Sequence, residues 1–82
     1  MNVRIGGFYM DNDDVVYEVI ALTETDKYSE AVCKVVGHPE ASYMHYAIFY
    51  RNNWAWCDRE NPDFRLTDEV DYVPRVVSKL QD

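Results

Sequence analysis

Apolar side chains recur along this chain in short bursts separated by polar, turn-forming clusters, a pattern that predicts strands and hairpins over long helices. The opening segment runs through Gly6-Gly7 into Phe8-Tyr9, which predicts a bent first strand over residues 3–10. Asp11-Asn12-Asp13-Asp14 follows as a turn, because short Asp and Asn side chains bond nearby backbone groups. Residues 15–22 (VVYEVIAL) carry the densest branched and aromatic pattern and are apolar on both parities, which predicts a central strand. The polar connection at 23–30 leads to a further strand over 31–36 (AVCKVV), broken by Gly37-His38-Pro39.

Residues 42–50 (SYMHYAIFY) alternate Met44, Tyr46, Ile48 and Tyr50 with Tyr43, His45, Ala47 and Phe49, so both faces of that strand can bury surface. Asn52-Asn53 predicts a tight turn into a strand over 54–57 (WAWC). Residues 59–63 read as a loop, 64–67 as a short closing strand or turn, and 75–80, behind Pro74, as a short C-terminal helix. Val16, Val19, Ile20, Val35 and Ile48 are the expected core. The fold expected is mainly β and one domain over residues 1–82: a small antiparallel SH3-like barrel of five or six strands. The alternative is a curled sheet covered on one face by the C-terminal helix.

Gly7-Phe8-Tyr9, then Val16-Tyr17-Glu18-Val19-Ile20-Ala21 and Val32-Cys33-Lys34-Val35-Val36-Gly37, are the segments that place the chain beside known proteins. On them the first half resembles a family of small, uncharacterised bacterial and phage SH3-like domains. These open with Gly, any residue and Tyr, followed by Tyr-x-Val and another valine-rich strand. The resemblance implies the barrel and no particular chemistry.

Composition narrows the function classes. A chain of 82 residues forms one small core without room for a deep enzyme pocket, while 48% hydrophobic residues exclude a disordered tail. Fifteen Asp and Glu against eight Lys and Arg give a net charge of −7, which opposes direct binding to nucleic acid or anionic membranes. No secretory h-region occupies the first ten residues and no apolar run is long enough to span a bilayer, so a cytoplasmic location is expected. In that setting Cys33 and Cys57 are expected as buried free thiols.

Candidate chemistry is sparse. Asp11, Asp13 and Asp14 start like a calcium loop, but no Gly stands at the sixth position and Leu22 occupies the place of the bidentate Glu. Cys33, His38, His45 and Cys57 have no zinc-ligand spacing, and thiols within apolar strands are poor nucleophiles. No metal or cofactor is therefore expected, and the chain is expected not to be an enzyme.

What remains is a binding surface. Tyr43, Tyr46, Tyr50, Trp54 and Trp56 are residue types that anchor interfaces, and alternation predicts Trp54 and Trp56 on one face. Carboxylates gather in three stretches, 11–14, 24–30 and 58–71, the last holding Asp58, Glu60, Asp63, Asp68, Glu69 and Asp71. Together these residues predict a site for a protein partner with a basic surface, as in a phage-type inhibitor that mimics nucleic acid, with homo-oligomers also compatible. The competing readings are a small-ligand or enzymatic module using His45 with nearby carboxylates, and an accessory subunit of a larger assembly.

Overall fold

The computed structural model describes residues 1–37 and 46–72. The predicted helix at 75–80 and residues His38, Tyr43 and His45 lie outside the described residues. Six strands form: β1 (Phe8–Asp11), β2 (Val16–Glu24), β3 (Ser29–Gly37), β4 (Tyr46–Asn52), β5 (Ala55–Asp58) and β6 (Leu66–Glu69). They make one antiparallel sheet in the order β5-β4-β3-β2-β1-β6. β5 and the segment before β6 touch through a single bridge, Cys57 to Arg65, with the Asp58 amide donating to the Phe64 carbonyl at 2.7 Å. The sheet thus curls without closing. Among the described residues there is no helix long and apolar enough to cross a membrane.

Side-chain alternation sets the core. Tyr9 and Asp11 point inward from β1, Tyr17 and Val19 from β2, Ala31, Cys33 and Val35 from β3, Phe49 from β4 and Trp56 from β5. The Tyr17 and Phe49 rings meet edge to face with centroids 4.9 Å apart, and Leu66 closes the cluster from β6. Val19 and Val35 belong to the core as expected, at 0% and 4% exposure. Val16, Ile20 and Ile48 do not, because Tyr17, Val19 and Phe49 take the inward parity. Val16 is half-buried, while Ile20 and Ile48 are 41% and 38% exposed. A register shift between Val19 and Ala21 leaves Ile20 outside the pairing with β3.

Two local features position the ends. Asn53 and Trp54 form the two-residue loop between paired Asn52 and Ala55, both with positive φ (46° and 71°), the backbone of a type I′ hairpin turn. The turn therefore lies one residue later than the Asn52-Asn53 pair suggests, and it takes Trp54 out of the strand alternation that places Trp56 in the core. At the far end of β3, a Cβ on Gly37 would stand 3.1 Å from Val16 Cβ and 3.3 Å from Tyr72 Cε1, so the position is tight for any side chain. The Tyr72 hydroxyl donates to the Val36 carbonyl at 2.8 Å and its ring packs against Phe8 at a tilt of 41°, covering the outer sheet face at that end.

Candidate functional site

The β1–β2 turn is organised from within by Asp11, a carboxylate only 3% exposed. Its Oδ1 accepts the Asp13 and Val15 amides at 2.8 and 3.1 Å, and its Oδ2 accepts the Tyr17 hydroxyl at 2.8 Å. Burial pushes the Tyr17 phenol above the usual tyrosine range, and the hydrogen bond and negative charge of Asp11 add to it, with a further contribution from the charge of Asp58. Asp14 holds a left-handed φ of 64°, which a short polar side chain tolerates. The turn is thus fixed by its own first residue.

Asn12 then clasps this turn to the loop between β5 and β6. Its Nδ2 donates to the Asp63 carbonyl at 3.0 Å and its Oδ1 accepts the Arg65 amide at 3.2 Å, while its own amide donates to the Arg65 carbonyl. Asp58 orders the other side of the loop, its Oδ1 accepting the Glu60 and Asn61 amides at 2.7 and 2.9 Å. Asp13, Asp14, Glu60 and Asp63 are consequently held, exposed, at one end of the sheet on hydrogen-bonded turns. Arg59 is ion-paired with Glu30, and Arg65 is the exposed base inside the clasped loop. A cleft beside them is lined by Tyr17, Tyr46, Asp58, Arg59 and Glu60, with Tyr46 58% exposed at its rim.

The residues singled out from the sequence divide on this frame. Tyr46, Asp58, Glu60 and Asp63 come together at the acidic end, joined by the 11–14 stretch. Tyr50 is half-buried on the outer sheet face, lining a second hollow with Tyr28, Glu30 and Arg59. Trp54 stands 85% exposed at the β4–β5 hairpin tip, and the Arg51 guanidinium lies 5.7 Å from the centre of its ring. Trp56, 6% exposed, is core and offers nothing to a partner. Asp68 is exposed on β6, where it accepts the Thr67 hydroxyl at 3.1 Å. Glu69 is ion-paired with Arg4 at 2.6 Å, and it and Asp71 line a hollow with Gly6 and Gly7, towards the other end of β1. The 58–71 stretch is therefore not one surface.

Sequence reasoning passed over Asn12 and the inward role of Asp11. A signal for the second was present: Asp11 shares the parity of Tyr9, which points its side chain into the core. Among the described residues no group of three or more His, Cys, Asp or Glu is arranged to hold a metal ion. Cys33 and Cys57 are both free and buried, and burial pushes the Cys33 thiol up to about 12, away from nucleophilic chemistry. Compared with protein-family models, curated proteins and solved structures, the chain matches none.

Proposed function

We propose that this is a non-catalytic binding protein whose acidic end docks on a basic surface of a protein partner. The observation that carries this reading is the Asn12 clasp, which ties the 11–14 turn to the 61–65 loop and so holds Asp13, Asp14, Glu60 and Asp63 on one side. The turns that carry these carboxylates are already ordered by hydrogen bonds, so their backbone loses little freedom on binding, and a like-charged array raises the encounter rate with an opposite one. Tyr46, exposed beside Asp58 and Glu60, supplies apolar contact once the partner has arrived. Inhibition of a nucleic-acid-binding protein by charge mimicry is the form of this activity that best uses such an array. A cytoplasmic setting and an SH3-like ancestry belong to the same proposal.

The test is retention of proteins from lysate by the immobilised chain, compared with an Asp13→Lys/Glu60→Lys/Asp63→Lys variant. None of these three side chains accepts a hydrogen bond among the described residues, so the variant should keep its fold. The reading expects a retained basic protein that the variant fails to hold. Equal retention by both forms contradicts it.

A further inference from the structure

The acidic end leaves Trp54 unused, and the fold keeps that side chain at a cost. Its φ of 71° lies in the left-handed region that a β-carbon disfavours, yet the ring is 85% exposed, with the Arg51 guanidinium 5.7 Å from its centre. A strained backbone that presents a bare indole beside a cation gains the fold little, and Trp and Arg are the side chains that anchor contacts between chains. The hairpin is also free of acid. Residues 46–57 contain no Asp or Glu in a chain that has fifteen, and Arg51 is their one charged side chain. Glu24 shares a hollow with Arg51, but among the described residues neither forms an ion pair.

The chemistry that complements this tip lies at the other end of the same strand. β4 runs from Tyr46, at the cleft of the acidic end, to Asn52, at the hairpin tip. Six residue steps separate them by roughly 20 Å, so the tip cannot reach the cleft of its own chain. That cleft, of about 290 Å³, has Tyr46 and Ile48 to receive an indole and Asp58 and Glu60 to receive a guanidinium, while Arg59 beside them is paired with Glu30. We propose that Trp54 and Arg51 of one copy seat in the cleft of the next, a head-to-tail contact that repeats along a row of chains. Copies carrying −7 each repel one another, and this arrangement sets the acid-free hairpin of one against the acidic end of the other. It deepens the reading of that end as a docking site, by naming what occupies it before a partner arrives. The contact is small, so a basic partner displaces it.

Sedimentation equilibrium of the full chain over a roughly hundredfold concentration series tests this. The weight-average mass should climb past two chains without a plateau. Trp54→Gly, which removes the indole and relaxes the turn, and Tyr46→Ala/Glu60→Lys, each checked for a cooperative urea transition, should each weaken association tenfold or more. Arg51→Glu serves as a second tip variant. An equimolar mixture of Trp54→Gly and Tyr46→Ala/Glu60→Lys should associate and stop at two chains, because together they hold one intact cleft and one intact tip. A wild-type chain that stays monomeric, a plateau at two chains, or a mixture no more associated than its components overturns the inference. The two readings fail separately. A monomeric wild-type chain whose Trp54→Gly form still retains a basic protein from lysate overturns the self-contact and leaves the docking end standing, whereas head-to-tail association with no protein retained supports the self-contact and contradicts the partner.

Discussion

Removing the Asp11 carboxylate should be among the most damaging single changes to this domain. Asp11→Ala takes away the acceptor of the Asp13 and Val15 amides and of the Tyr17 hydroxyl at one stroke. The Asp13 amide lies where water can replace the lost bond. The Val15 amide and the Tyr17 hydroxyl bond to Asp11 in buried settings, and each unsatisfied buried group costs about 1–3 kcal/mol. The sum is about 3–5 kcal/mol after allowing for partial relaxation. A domain of this length has only about 4–12 kcal/mol in total, so the variant should be largely unfolded or have a much lower urea midpoint. Asp11→Asn retains one acceptor oxygen and should cost about half as much, while Tyr17→Phe should cost about 1.5–3 kcal/mol as a hydrogen bond to a charged group is lost. Equilibrium urea unfolding followed by tryptophan emission and far-UV circular dichroism gives these values. Because Tyr17 and Asp11 share one bond, the double variant should cost less than the sum of the singles. An Asp11→Ala midpoint close to wild type would refute the buried-carboxylate account.

Three further outcomes follow from the described side chains. Val19→Ala should cost about 1.5–3 kcal/mol, whereas Ile20→Ala, at an exposed bulge position, should cost clearly less in the same urea assay. Trp54→Gly should be more stable than Trp54→Ala by about 1 kcal/mol, since both lose the Arg51 contact but only Gly takes φ of 71° without strain; thermal unfolding should place the Gly form several degrees higher. Burial raises Cys33 from 9.0 to about 12, so the unfolded chain ionises first as pH rises. Stability should be insensitive to this group below pH 9.0 and fall between pH 9.0 and about 12, with Tyr17 adding to the same alkaline loss; a Cys33→Ala variant should show a shallower decline in urea midpoint over that window.

The strands were legible in the sequence because each is a burst of branched and aromatic residues between Asp, Asn and Gly clusters. Which parity faces inward was not. Val15 to Leu22 is apolar at nearly every position, so alternation alone could not choose between Val16 with Ile20 and Tyr17 with Val19, and the register shift after Val19 has no sequence mark. The type I′ turn was displaced by one residue because Trp54, an unfavourable residue at positive φ, occupies a place where Gly would have announced it. The carboxylates of 11–14 and 58–63 were visible as runs, but their meeting depends on Asn12 reaching across to Asp63 and Arg65, a contact between segments some fifty positions apart. Glu69 and Asp71 look continuous with that run and are carried away from it by the direction of β6.

The central claim is that the acidic end steers a basic protein partner. Surface plasmon resonance of the retained partner against wild-type chain and the Asp13→Lys/Glu60→Lys/Asp63→Lys variant, over a salt series, tests it most directly. The account predicts a wild-type association rate that falls steeply with salt, a variant rate that is at least tenfold slower at low salt, and convergence of the two as screening rises. A wild-type association rate indifferent to salt, with the variant associating equally fast, would show that the carboxylates serve solubility alone and would contradict the proposed function.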